Sequence, residues 1–332
     1  MPDRIERSVL SISWIPSEAV TGLPKVPFEL GITHYDDPPP DVVEDLEGLF
    51  AAGAFRFANR LRAWVDVADG RVVDAGHTGG SYVSSTHVRL AGLNVNFMPT
   101  EFPLIQPPPE VSATSARFEQ TAGGRPGVPS PRRVTGGAFM KWAGPNVWTT
   151  LALTINADGS HDYALAGASG FPRHWVYDDA GRLVQKSGVI DFEAWYRTTY
   201  GSHSPWGDEH SEALAVAAET ALERQLSTTI MRAGARPAMR EVPAGETLLE
   251  QGAPGAELFL LLDGVLSVEV DGVEVAQLGP GAVLGERAVL EGGSRTSTIR
   301  AVTRAKVAVA TAANIDREAL AALAAGHHRE DR

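Results

Sequence analysis

The chain has 332 residues, of which 43% are hydrophobic and none is cysteine, and a formal net charge of −12. That length holds two domains with cores of their own, and the lack of cysteine removes disulfides and thiolate metal sites. The acidic balance argues against nucleic acid, whose affinity rests on neutralised phosphates.

No apolar run approaches the roughly 20 residues of a membrane span. Residues 1–7 are polar, without the apolar core of a secretion signal, so a cytoplasmic protein away from membranes is expected. The first predicted strand is the alternating run Val9, Leu10, Ser11, Ile12, Ser13, Trp14. A proline-studded loop follows, and its His34, Tyr35, Asp36, Asp37 cluster is expected to be solvated rather than to hold a metal. Asp41 with Glu44 three residues on resembles a capping box, predicting a helix on the stripe Val42, Leu46, Leu49, Phe50 up to Gly53.

Residues 54–190 are β-rich. Hairpin turns are predicted at Asp69-Gly70, at Asp158-Gly159 and around Asp179-Ala180-Gly181. Between them, 99–133 is dense in Pro, Ser and Gly, which predicts long irregular connections. The fold class expected is mainly β (α+β), with an antiparallel β-rich domain over 1–210. A barrel and a helix-grip arrangement around an apolar cavity are the candidate architectures.

Residues 189–210 gather Phe192, Trp195, Tyr196, Tyr200 and Trp206 with His203, Asp208, Glu209 and His210. The two histidines and two acids are candidate metal ligands or an acid–base pair; a loop at a domain boundary accounts for them equally well. Ser211 then caps a predicted helix over 211–235, with Leu214, Ala218, Leu222, Leu226 and Ile230 recurring every four residues and Gly234 and Pro237 ending it. It joins the first domain to a second over 236–326, which a polar tail follows at 327–332. Asn314 or Asp316 begins a short last helix.

The most specific chemistry lies at 283–299: Val283-Leu284-Gly285-Glu286-Arg287-Ala288-Val289-Leu290-Glu291-Gly292-Gly293-Ser294-Arg295-Thr296-Ser297-Thr298-Ile299. Gly285 lets backbone approach a ligand closely, and a turn of helix starting there aims N–H groups at an anion. Arg295 offers a bidentate fork for a phosphate. Glu286 suits a hydroxyl that must donate. One anion clamp and one hydroxyl acceptor on one loop describe a pocket for a sugar phosphate.

These residues carry a family resemblance. The segment resembles the phosphate-binding cassette of the cyclic-nucleotide-binding domain family, whose pattern runs roughly F-G-E-aliphatic-A-L, a short loop, then P-R-x-[AS]-[STV]-[VI]. Gly285, Glu286, Ala288, Arg295, Thr296 and Ser297 fall on it, and residues 242–252 and 259–268 resemble the family's opening and central strands. Three positions depart from the pattern: Leu284 for Phe, Ser294 for Pro, and Arg287 at an aliphatic position. Arg287 is either a second cation near the phosphate or a solvent-facing side chain.

The resemblance implies a double-stranded β-roll over 236–326 that binds cAMP or cGMP. Its phosphate would meet Arg295 and N–H groups near Ala288, and its ribose Glu286. Thr296 resembles the hydroxyl that favours cGMP in some relatives, which leaves the base open. No separate cofactor is expected, and no room for a helix-turn-helix follows the roll. The high ratio of arginine to lysine, with much Ala and Gly, resembles GC-rich bacterial genomes.

The function expected is a cyclic-nucleotide-sensing regulatory protein whose second domain modulates a binding or scaffold domain, with a protein partner or self-association as its output. The alternatives are a nucleotide-regulated enzyme working through the His203–His210 region and a degenerate nucleotide domain used for assembly. The first domain carries no P-loop, no G-x-S-x-G elbow, no H-E-x-x-H and no G-x-G-x-x-G.

Overall fold

A computed structural model of the chain describes residues 2–17, 20, 25–29, 34–90, 93–126, 130–133, 140–143, 146–187, 205–206, 215–217, 223–224, 237–291, 293–311 and 321. It divides into two compact units, residues 1–187 with 191–215, and residues 188–190 with 216–332. His203, His210, the last helix from 314 and the tail at 327–332 lie outside the described residues, apart from helical position 321.

The first unit is built on two antiparallel sheets. One runs in the order Ala215–Ala217, Leu183–Ser187, Arg173–Tyr177, Asp3–Trp14, Phe57–Ala68, Arg71–Val83. The other runs His161–Ala168, Val147–Asn156, Ser115–Arg125, Thr100–Glu101, with Glu110–Val111 also on Ser115–Arg125. Period-2 alternation sends Val9, Leu61 and Val65 of the first sheet against Phe118, Leu151, Leu153 and Ile155 of the second. Leu10, Ile12, Trp14, Trp175 and Tyr177 point the other way, where Leu46 of the helix Leu46–Ala51 covers them. Strand Asp3–Trp14 is therefore buried on both faces from Val9 onward. Each large apolar side chain so enclosed contributes roughly 1.5–3 kcal/mol.

The mainly β expectation holds. Of the architectures weighed, the closed barrel is not formed, since both sheets of the first unit are open; most of the helix that a helix-grip arrangement needs lies outside the described residues. The hairpin at Asp69-Gly70 has both residues at positive φ, 50° and 70°, which matches the twist of the strands it joins.

Several local expectations give way to longer-range pairing. The helix at 46–51 is capped by Asp45, which accepts from Gly48 N at 2.9 Å, not by Asp41. Residues 41–43 are drawn instead into strand-like pairing: Leu183 N donates to Asp41 O and Val43 N to Gly181 O, each at 2.8 Å. Within the supposedly irregular 99–133, Ser115–Arg125 is an 11-residue strand inside the second sheet. Its alternation is hidden because Gln120, pointing inward, finds Asn59 Oδ1 at 2.7 Å and needs no apolar side chain there.

Asp36, expected in solvent, is buried against Arg56. The helix predicted over 211–235 is helical at 223–224, but 215–217 is a strand beside Leu183–Ser187. There edge pairing overrides the modest helix preference of three residues, and most of the remaining span lies outside the described residues.

The second unit is a roll of two four-stranded sheets. One runs Ala238–Val242, Ala305–Thr311, Glu257–Asp263, Val283–Leu284; the other Thr247–Leu249, Thr298–Ala301, Leu266–Val270, Val273–Leu278. Phe259 and Leu261 enter the core between the sheets with Leu266, Ile299 and Val307. Leu258, Leu260 and Leu262 point the opposite way, where Val289 and Leu290 of the helix Glu286–Glu291 cover them. This is why Leu258 to Leu262 reads as an unbroken apolar run: each face of the strand has its own cover.

Candidate functional site

The loop singled out in the sequence is held from three sides. Val283–Leu284 pairs with Phe259 and Leu260, which fixes where the strand ends. Gly285 then takes φ +86°, a left-handed conformation open to glycine at little cost, and turns the chain into the helix Glu286–Glu291. A Cβ at 285 would lie 2.8 Å from Glu257 O and closer still to the Arg295 guanidinium. Ala288 is buried under the turn.

Arg295 is anchored at both ends. Its backbone N donates to Ala253 O and its carbonyl accepts from Gly252 N, each at 2.8 Å. Its side chain reaches across to the start of the helix, where Nη1 donates to Glu257 O at 3.0 Å and to Gly285 O at 3.3 Å. The residue is 5% exposed, and Phe259 lies 5.8 Å from its Cζ. Among the described residues the Nε–Nη2 edge of the fork gives no hydrogen bond and Arg295 makes no ion pair.

Glu286, at the first position of the helix, is 7% exposed. Burial pulls the Arg295 pKa below the usual arginine value, and the carboxylates of Glu257 and Glu286 oppose that shift. The structure thus brings Gly285, Glu286 and Arg295 to one spot, with Arg287 half-buried, Ser297 half-buried and Thr296 exposed nearby in the chain. Sequence reading missed the Glu257 carbonyl and the turn at 252–253, which carry Arg295 through backbone atoms that have no side-chain signature.

The first unit holds a second buried polar cluster, and it is chemically closed. His174, 0% exposed, accepts from the Ser13 hydroxyl at Nδ1 (2.7 Å), while Nε2 donates to Ser169 O (2.7 Å). That pattern requires the neutral ring, and burial pushes its pKa down to about 4. The Ser13–His174 contact has the length of a nucleophile–base pair, but both residues are wholly buried and both ring nitrogens are engaged. It is a structural bond in a core. Nearby, Asn59 Nδ2 donates to Thr149 O at 2.9 Å, so the interior strands are stitched by side chains as well as by apolar packing. Among the described residues no cluster of His, Cys, Asp and Glu stands ready to hold a metal ion, and no helix is long and apolar enough to cross a membrane.

The family model described as "Cyclic nucleotide-binding domain" matches residues 239–324. Those residues form a cyclic nucleotide-binding domain. Among proteins similar to the chain, a cyclic nucleotide-gated potassium channel of Mesorhizobium japonicum is 41% identical over 19% of this chain and 18% of its own length. A cGMP-dependent protein kinase of Caenorhabditis briggsae is 35% identical over 18% of this chain and 8% of its own length. Glutaminase 2 of Bradyrhizobium diazoefficiens is 40% identical over 43% of this chain and 22% of its own length. The chain thus spans less than a quarter of each of these curated relatives.

Among solved structures, a cyclic nucleotide-binding domain from Methylobacillus flagellatus is 28% identical over 27% of this chain and 50% of that one, with a TM-score of 0.21. One described as "A cyclic-GMP-dependent signalling pathway regulates bacterial phytopathogenesis" is 24% identical over 33% of this chain and 83% of that one, with a TM-score of 0.25. In the cyclic nucleotide-binding domain of this chain, the loop described above is the stretch that carries the acid and the guanidinium.

Proposed function

We propose that this protein senses cAMP or cGMP through its C-terminal domain and that occupancy regulates what the N-terminal unit binds. The observation that carries the reading is Arg295: a buried guanidinium held by backbone carbonyls at Nη1 alone, with its Nε–Nη2 fork unengaged among the described residues. A cyclic phosphate supplies the charge-assisted acceptors that such a fork lacks. Glu286, buried beside it at the start of a helix, suits the ribose hydroxyl of the same ligand, since an ionised carboxylate only accepts.

Coupling to the N-terminal unit is bounded by thermodynamics: the ligand shifts an equilibrium only by its differential affinity for the two states. One charge-assisted contact contributes roughly 1.5–3 kcal/mol, enough for a regulatory shift. The test is titration calorimetry of the full chain with cAMP and with cGMP, repeated on Arg295→Ala. One nucleotide is expected to bind, and the substitution to weaken it by about a hundredfold. Equal affinity in the two proteins would refute the assignment.

A further inference from the structure

We infer that Gly255, which lies outside the cassette and 40 positions before Arg295, is a positioning residue for nucleotide binding, its missing side chain being the seat of the Arg295 guanidinium. The inference rests on the sensing reading above. A Cβ built on Gly255 meets three atoms first, and all three belong to Arg295: Nη2 at 2.4 Å, Nε at 2.5 Å and Cζ at 2.6 Å. Real Cβ atoms do not come that close, so a side chain at 255 has to move the guanidinium.

Backbone conformation does not explain why position 255 is glycine. Its φ lies outside the left-handed range that Gly285 occupies, so an L residue fits the chain there. What excludes a side chain is the fork itself. The atoms nearest to the added carbon are the two nitrogens of the edge that the described residues leave unengaged. An alanine would press on the very edge through which the proposed phosphate is held.

The turn that carries Gly255 is fixed to the same stretch of chain as the arginine. Ala253 O and Gly252 N hold the Arg295 backbone, and Pro254 bridges Ser294. The seat and the base of the side chain are therefore tied together, and a Cβ at either Gly255 or Gly285 would meet the guanidinium. Of the two, Gly255 is the cleaner probe. A side chain at 285 would also meet the Glu257 carbonyl at 2.8 Å on a left-handed backbone, whereas one at 255 first meets the far end of a flexible side chain. The fold survives and the fork is displaced.

The experiment is calorimetric titration of the full chain with cAMP and cGMP for wild type, Gly255→Ala, Arg295→Lys and the double variant. Hydrogen-exchange protection of strands Glu257–Asp263 and Thr298–Ala301 serves as the control for folding. Gly255→Ala is expected to weaken nucleotide binding about tenfold or more with both strands still protected. In the Arg295→Lys background, where no planar fork lies against 255, the same substitution should change affinity by less than about twofold.

Wild-type affinity in Gly255→Ala, or an equal loss in both backgrounds, overturns the seat and leaves the sensing reading standing. If wild type binds neither nucleotide, the sensing reading falls and the seat is judged on stability. Denaturant dependence of the exchange protection should then show a cost of Gly255→Ala that vanishes when Arg295 is alanine. A cost that persists overturns the seat.

Discussion

Arg56 in the first unit and Arg295 in the second are both buried, and they are held in opposite ways. Arg56 is neutralised where it stands. Its Nη2 lies 2.9 Å from Asp36 Oδ1, Nε donates to Asp36 Oδ2 at 3.1 Å, and Nη2 also donates to His34 O at 2.9 Å. Burial raises the Asp36 pKa while Arg56 and the Ile15 N–H pull it down, so the pair balances desolvation with contact. Among the described residues Arg295 is held only by carbonyls at one nitrogen, and its carboxylate neighbours act through space. A buried guanidinium with its own carboxylate finishes a structure. On the sensing reading proposed above, the edge that the described residues leave unengaged is the one that takes an anion.

The largest test of that contrast is Asp36→Ala, which strands Arg56 in the core and should cost about 3–5 kcal/mol. Tryptophan fluorescence during denaturation reads this directly, because all seven tryptophans lie within the first 206 residues. A loss below about 1 kcal/mol would mean that Arg56 is not the structural partner described.

Next comes pH. His174 has its pKa lowered to about 4 by burial, against an ordinary value near 6.5. Between those values the unfolded chain binds the proton and the folded one does not, so stability is full above about pH 6.5 and falls on acidification, by about 3 kcal/mol in all. Asp36, with its pKa raised, contributes a slope of the opposite sign. The difference between wild type and His174→Gln therefore isolates the histidine, and parallel curves would rule it out as the source. Smaller again, Glu286→Gln should weaken the nucleotide by about tenfold, through loss of one charged acceptor, as read by calorimetry. Least of all, Arg295→Ala in ligand-free protein should leave the tryptophan-monitored transition within about 0.5 kcal/mol of wild type.

The two regions also differ in how much of them the sequence reveals. Gly285, Glu286 and Arg295 fall within eleven consecutive positions, and their chemistry is local: a left-handed turn, a helix start, a fork. Gly255 is silent in the sequence because its role is an absence of atoms at a place set by folding. In the first unit the decisive pairs are distant, Ser13 with His174 and Asn59 with Gln120. Polar residues pointing inward also interrupt the apolar alternation by which strands are recognised, and this concealed Ser115–Arg125 among its prolines and glycines. Asp36 reads as one of a hydrophilic group until its partner Arg56, on the far side of the helix Leu46–Ala51, is brought to it.

The strand Glu257–Asp263 carries a consequence for synthesis as well as for binding. Its run Leu258 to Leu262 is covered on one side by the core between the sheets and on the other by Val289 and Leu290, and a neighbour in the sheet is Ala305–Thr311. All of the second cover, and much of the first, is translated later, so a nascent chain leaves the ribosome with five consecutive apolar side chains bare. Glu257 and Asp263, one at each end of that strand, are the charges that hinder it from stacking on copies of itself in the interval.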